Sequence, residues 1–203
     1  MSVSRFLQAS RRYLFSSVVA TSAATASTAI ASAPTEGLIT GRTVVRLSNR
    51  FVNEMNALQL LFERIHPGKL ENGVAAFPIS AGTIDFNNAK GEMLHLGGVS
   101  ISSGPVAVQL RDFSIDTTRA HPLLTGMMVV NNDLVGRMPL FDLILPTLDL
   151  PLDRSACIVE IPNVKAMLTA NAAAALNGIF GVKSFAAGFD FGTAKVKALV
   201  APA

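Results

Sequence analysis

The chain has 203 residues, 50% of them hydrophobic, and its 17 Lys and Arg exceed its 14 Asp and Glu by three. That excess equals Arg5, Arg11 and Arg12, because no acidic residue lies before residue 34, so residues 34–203 are neutral overall. The chain has no Trp, and its one tyrosine is Tyr13. We therefore expect neither a basic stripe nor an aromatic platform for stacked bases, and no nucleic acid as a partner.

Residues 1–33 have the pattern of an export signal that is removed, with a basic start, an uncharged middle and small residues in Ala29-Ile30-Ala31 and Ala31-Ser32-Ala33. Arg11-Arg12 followed by apolar residues resembles a twin-arginine signal, which predicts bacterial export to the periplasm or the cell surface. A mitochondrial presequence is the alternative address, and a structural N-terminal helix is the third interpretation. We expect residues 34–203 to form one globular domain that does not span a membrane, because no run of 18 apolar residues follows the leader.

Most of this domain consists of short apolar segments separated by Gly, Pro, Asn and Asp, which is typical of antiparallel sheets. The pattern predicts a mainly β, antiparallel, sandwich-like fold with two short helices. The predicted strands are Gly73–Ile79, Thr83–Phe86, Glu92–Ser100, Val106–Ile115, Met127–Asn131, Leu134–Leu145, Cys157–Ile161, Val164–Leu168 and Gly192–Val200.

Two segments have helical spacing. Ser48 can cap a helix whose apolar residues Phe51, Met55 and Leu58 recur every four and three positions, and Thr169 can cap the alanine-rich run that follows it. Both segments follow an alternating strand and align at one constant offset. They are either a weak internal repeat of strand, cap and helix or two helices that look alike by chance.

The strand that begins at Val106 changes phase. Val106, Val108 and Leu110 alternate regularly, but the next apolar pair is Phe113 and Ile115. A one-residue change of phase would turn every later side chain to the opposite face, so we predict a bulge or bend at Arg111-Asp112.

Patterns that announce catalysis or metal binding are absent from the sequence. The nucleophile motif Gly-x-Ser-x-Gly does not occur. His66 and His121 each precede proline, so we predict both in surface turns. Cys157 is the only cysteine, which excludes an internal disulfide, and we predict that it is a small buried hydrophobic residue. Pairs of nearby carboxylates in the sequence lack the ligand spacing of a calcium-binding loop. The segment Asp85–Glu92 is predicted to be a solvated hairpin tip. We therefore predict no catalytic residue, no metal site and no enzyme.

His95 is the one candidate that remains. It lies among apolar residues just before Gly97 and Gly98, and it can be either a hydrogen-bonded core residue or a side chain that faces a ligand pocket. The two glycines are typical of a bulge or of a close approach between backbones.

The segment His95-Leu96-Gly97-Gly98-Val99 resembles the His-x-Gly-x-Leu strand of the Htaa family of exported bacterial haem-uptake domains. The preceding context of Phe77 and Gly91 is similar too, as is the closing stretch from Leu168-Thr169 to Ala186-Ala187-Gly188. This resemblance implies a β-rich sandwich-like fold, export to the cell envelope, and haem held by an axial Tyr with an assisting His.

On this resemblance His95 is the assisting histidine, and Gly97 and Gly98 belong to the same cofactor-binding segment. Residues 34–203 contain no tyrosine, so a thiolate or Met would have to replace the axial ligand. We therefore predict an exported, non-catalytic domain that binds a hydrophobic small molecule near His95, with haem among the candidates. The alternative is a structural or surface-interaction domain without a pocket, and the sequence does not indicate an oligomeric state.

Overall fold

A computed structural model describes residues 35–153, 155 and 157–201, so the predicted export signal lies outside the described residues. These residues form eleven strands and two helices. They are β1 (Glu36–Leu47), α1 (Asn49–Ala57), β2 (Leu61–Ile65), β3 (Lys69–Glu71), β4 (Val74–Ile84), β5 (Gly91–His95), β6 (Gly98–Ser103), β7 (Val106–Asp116), β8 (Leu123–Val130), β9 (Asp133–Ile144), β10 (Ile158–Leu168), α2 (Ala170–Phe180) and β11 (Asp190–Val200).

Eight of the strands close into an antiparallel barrel in the order β7-β5-β4-β1-β11-β10-β9-β8, and β8 pairs back onto β7. Strands β6 and β2 extend outward from the first half of β7, and β3 pairs with β4. The mainly β, antiparallel fold with two helices is confirmed, but the predicted sandwich-like packing is wrong. Alternating apolar residues bury one strand face in either architecture, and the β7–β8 pairing decides between them.

The predicted bulge lies at Asp112. Its backbone φ is 53°, and the β7–β8 register shifts between Arg111 and Ser114. Before this point β7 pairs with β6, and after it β7 pairs with β5. The extra residue thus lets one strand change its neighbour while its apolar side chains remain inside the barrel.

Both predicted helix caps are present. The Ser48 hydroxyl accepts a hydrogen bond from the Phe51 amide at 3.0 Å, and the Thr169 hydroxyl accepts one from the Ala172 amide at 3.1 Å. Strands β1 and β10 precede the two helices and both run antiparallel to β11, so the helices follow at the same end of the barrel. The order strand, cap, helix that suggested a repeat is thus observed twice.

Other expected boundaries differ from the structure. The two segments predicted on either side of Pro162 form one strand, β10, whose register with β11 shifts between Ile161 and Val164. Strands β2, β3 and most of β1 were not predicted. The tip between β4 and β5 is a hairpin, but Asp85 is buried, and its carboxylate accepts hydrogen bonds from the Asn87 amide and the Asn88 side chain.

Each end of the barrel is covered. At the helical end, Phe191 lies 4.7 Å from Phe51 and 4.5 Å from Phe141, measured between ring centroids. At the other end, the segment after β9 crosses the β4–β5 hairpin, where the Leu152 amide donates to the Phe86 carbonyl at 2.7 Å. The barrel interior is therefore closed off from solvent on both sides by apolar side chains.

Candidate functional site in the barrel interior

His95 is the last residue of β5 and faces the barrel interior. It pairs with Ile79 of β4, and only 4% of its surface is exposed. His66 and His121, predicted in surface turns, are both exposed in or beside turns. Of the three histidines, the interior therefore holds only the one that the sequence singled out.

The imidazole of His95 has one side-chain partner. Its Nε2 lies 2.7 Å from the hydroxyl oxygen Oγ1 of Thr43, a buried residue of β1. Its Nδ1 is buried and has no partner at full hydrogen-bond geometry within the described part of the chain. Buried polar atoms nearly always have a partner, so Nδ1 is the exception that requires an explanation.

Burial also sets the charge of this ring. Desolvation lowers the pKa of His95 from 6.5 to about 4, and weak backbone hydrogen bonding with Phe113 and Met93 offsets only part of the shift. The ring is therefore neutral at pH 7, with one nitrogen protonated and the other a bare acceptor. The Thr43 hydroxyl can donate or accept, so the neutral ring presents either an acceptor or an N–H at Nδ1.

A cavity of about 70 Å³ adjoins His95 in the barrel interior. Its lining is apolar except for Thr43, His95 and Thr117. The Thr117 hydroxyl is satisfied, because it accepts from the Gly91 amide and donates to the Ala89 carbonyl. Nδ1 of His95 is thus the polar atom of this lining that could form a hydrogen bond with a bound molecule.

Gly97 and Gly98 do not line this cavity. A Cβ on Gly97, whose φ is +80°, would lie 2.4 Å from the Gly68 nitrogen, and one on Gly98 would lie 2.1 Å from the Leu110 carbonyl oxygen. The predicted close backbone approach is therefore present at both positions. It explains the two glycines by packing, while their assignment to cofactor binding stays a prediction.

Thr43 is the site residue that the sequence analysis missed. It occupies an ordinary inward position of β1, and its hydroxyl becomes special only because β4 brings β1 beside β5. No local pattern distinguishes such a threonine from any other threonine in a strand.

The remaining chemistry-bearing residues do not converge. Cys157 is half-buried rather than fully buried, with its side chain packed at the edge of the core. Hydrogen bonding from the Thr118 side chain is the main cause that lowers the pKa of Asp116, and Arg119 contributes too. Among the described residues, no three His, Cys, Asp or Glu side chains come close enough together to hold a metal ion.

No family model matches this sequence, and no curated protein matches it either. None of the described helices has the length and apolar character needed to cross a membrane.

Solved structures do match. The C-terminal domain of HtaA from Corynebacterium glutamicum superposes with a TM-score of 0.64 at 14% identity, covering 82% of this chain and 99% of that domain. The haem-binding protein HtaB from the same organism gives a TM-score of 0.56 at 10% identity, covering 83% and 96%. The N-terminal domain of HtaA gives 0.55 at 13% identity, covering 80% and 98%. The closed barrel that contains His95 therefore has the fold of the HtaA and HtaB domains. At this low sequence identity, the chain is a distant structural relative of the Hta family.

Proposed function

We propose that this protein is an exported, non-catalytic domain that binds a small hydrophobic molecule inside its barrel, against Nδ1 of His95. The observation that carries the proposal is a buried, neutral imidazole at a mainly apolar cavity, with one nitrogen that no described group meets at full hydrogen-bond geometry. A molecule with an apolar body and one polar group would fill the cavity and form a hydrogen bond with that nitrogen. Its polar group would be a donor or an acceptor according to the tautomer of His95.

The size of the cavity limits this ligand. An engineered cavity of roughly 150 Å³ holds a benzene molecule, and pockets for drug-sized ligands measure roughly 300–1,000 Å³. The cavity beside His95, at about 70 Å³, has room for only a few non-hydrogen atoms. We therefore place a short chain of about three non-hydrogen atoms in this cavity, since it has roughly half the volume that holds benzene.

Haem deserves a separate test because HtaB is described as a haem-binding protein. The interior around His95 does not fit haem, since the cavity is several times too small and its lining holds no cation to meet the two propionates. Tyr13, the one tyrosine of the chain, lies outside the described residues.

The ligand proposal can be tested with ethanol and propane, which have three non-hydrogen atoms each. Ethanol can donate or accept a hydrogen bond and propane can do neither, so the ratio of ethanol affinity to propane affinity should fall about tenfold in His95→Leu, which removes one hydrogen bond. Binding is followed by NMR of the methionine methyl groups of Met93 and Met128, which line the cavity. His121→Ala on the surface should leave the ratio unchanged.

Two results would contradict this proposal. One is the absence of any shift at Met93 and Met128 with either molecule, and the other is an affinity ratio that is the same in His95→Leu as in the wild type. A parallel titration with hemin tests the family resemblance directly. An absorption band of bound haem that is identical in the wild type and in His95→Ala would exclude His95 as a haem-binding residue.

We propose export on the basis of the leader. HtaA and HtaB, whose domains have this fold, come from a bacterium, which supports the bacterial address over the mitochondrial one. Cell fractionation with N-terminal sequencing of the mature chain tests compartment and cleavage together. Replacing Arg11-Arg12 with Lys-Lys should block export by the twin-arginine route, and unchanged export would indicate the general secretory route.

A domain without a ligand is the second candidate. It is favoured by the small size of the cavity, and it predicts that neither ethanol nor propane binds. An interaction surface on the outside of the barrel would then carry the function.

A further inference from the structure

The outer surface of β1, β11 and β10 concentrates positive charge. Alternate side chains of these strands point to solvent, and antiparallel pairing places Arg42 opposite Lys197, Val44 opposite Lys195, and Lys165 opposite Thr193. We call this surface the cationic face. It comprises Arg42, Val44, Arg46, Glu160, Asn163, Lys165, Thr193, Lys195 and Lys197.

Five members of the cationic face are exposed cations, and Glu160 is its one acidic member. Glu160 pairs with Lys195 and Lys197, and hydrogen bonding from Lys195 is the main cause that lowers the pKa of its carboxyl. Arg42, Arg46 and Lys165 form no ion pair with any residue that the structure describes. The cationic face thus has four more cations than anions. Because residues 34–203 are neutral overall, acidic residues elsewhere on the domain balance this excess.

The cationic face is also concave. A cleft of about 600 Å³ opens between Arg42, Arg46, Lys195 and Lys197, and its floor includes Val44. Several cations around one cleft suit a phosphate-bearing group, which each of them could approach from a different side.

Three exposed aliphatic side chains adjoin the cationic face. Leu199 pairs with Ile158 on one side and with Thr40 on the other, and Ile39 lies beside them at the register shift of β1. Their exposed fractions are 40%, 39% and 52% for Leu199, Ile158 and Ile39. Cations and exposed aliphatic groups thus share one side of the barrel, next to each other.

We propose that this side of the barrel docks on a membrane surface that contains anionic lipids. The cations meet lipid phosphates, and Ile39, Ile158 and Leu199 enter the boundary between headgroups and acyl chains. A lipid surface accounts for both features, whereas a nucleic acid would leave the aliphatic group in water and would find no aromatic ring on the cationic face for its bases. This inference goes beyond ligand binding at His95 and does not depend on it.

The test measures partitioning of residues 34–203, which contain every described strand and helix, onto phosphatidylcholine vesicles with and without phosphatidylglycerol. The triple variant Arg42→Gln, Arg46→Gln, Lys165→Gln should lower partitioning onto the anionic vesicles about a hundredfold, since each basic residue contributes roughly a fivefold gain. The matched control is Arg64→Gln, Lys90→Gln, Lys183→Gln. It removes the same charge from exposed positions elsewhere and should retain most of the binding.

The aliphatic group has a test of its own. Ile39→Ser with Leu199→Ser should weaken the binding that remains at high salt, where the electrostatic part is screened. Equal partitioning onto neutral and anionic vesicles would overturn the proposal, and so would an equal loss in the matched control. Tight binding of duplex DNA or polyphosphate with no binding to vesicles would also overturn it and would identify the cationic face as a site for soluble polyanions.

Discussion

Thr43 and His95 lie 52 residues apart in the chain, yet their side chains meet at 2.7 Å inside the barrel. Among the described residues, no other hydrogen bond between two side chains is fully buried. The pair ties β1 to β5 across β4, which separates them in the sheet. Its polar atoms are the main departure from an apolar interior, so their removal has effects that can be measured.

Replacing Thr43 with Val keeps the shape of the side chain and removes the partner of Nε2. We expect the free energy of unfolding to fall by about 1–3 kcal/mol, because a second buried nitrogen then lacks a hydrogen bond. Adding His95→Leu should recover much of this loss, since replacing both partners by apolar groups leaves nothing unpaired. Urea denaturation of the two single variants and the double variant measures the coupling, and additive losses would contradict it.

The lowered pKa of His95 predicts a specific dependence of stability on pH. The unfolded chain binds this proton near pH 6.5 and the folded chain only near pH 4, so unfolding takes up a proton between those values. The stabilisation is complete above pH 6.5, and about 3 kcal/mol of it should be lost as the pH falls to 4. Urea denaturation across this range in the wild type and in His95→Leu isolates the effect, because the carboxylates titrate in both. Parallel pH curves for the two proteins would show that His95 does not carry it.

Gly98 should tolerate no side chain. Its Cβ would lie 2.1 Å from the Leu110 carbonyl oxygen, a backbone atom that cannot move without disturbing the β6–β7 pairing. We expect Gly98→Ala to cost about 3 kcal/mol or more. Gly178→Ala is the matched control, because a Cβ there has no neighbour within 4 Å and alanine favours the helix, so about 0.5–1 kcal/mol should be gained. Thermal unfolding of the two variants checks the difference, and similar melting temperatures would count against the packing explanation.

The two cap residues, Ser48 and Thr169, should contribute about equally to the free energy of unfolding. Besides accepting from their helices, the Ser48 hydroxyl donates to the Asp190 carbonyl at 2.7 Å and the Thr169 hydroxyl to the Pro139 carbonyl at 3.0 Å. Ser48→Ala and Thr169→Ala should each cost about 1–2 kcal/mol, since both lose a cap and a link to another strand. The conservative variants Ser48→Thr and Thr169→Ser should keep most of the free energy of unfolding that the alanine variants lose, as measured by denaturant unfolding. A loss confined to one site would argue that the two segments are not equivalent.

Local features were predictable from the sequence. Caps depend on a hydroxyl followed by apolar residues at helical spacing, and the bulge at Asp112 depends on a change of phase within one strand. Both signals lie within a dozen residues, so no knowledge of distant partners is needed to find them. His95 stood out for the same reason, as a lone polar side chain in an apolar run.

Features made by strand pairing were not predictable. The sequence did not separate a barrel from a sandwich, because closure rests on β7 pairing with β8, and it did not indicate that Thr43 would meet His95. The expectation of no basic stripe was wrong at the cationic face, because its lysines and arginines are scattered along three strands and leave no local signal within a neutral domain. β1 was largely missed because Gly41 and its alternating Arg and Thr residues weaken the apolar signal of a strand.

The position of β11 between β1 and β10 constrains how the barrel can be assembled. Residues 190–200 are made after all the other strands, yet they supply the hydrogen-bond partners for one edge of the first strand and one edge of the tenth. Until they are available both edges stay open, and the apolar interior has no complete wall. Long-range pairings of this kind also form slowly. A nascent chain of this protein therefore cannot close the barrel until β11 has left the ribosome, so the open edges of β1 and β10 stay exposed while the other described strands are made.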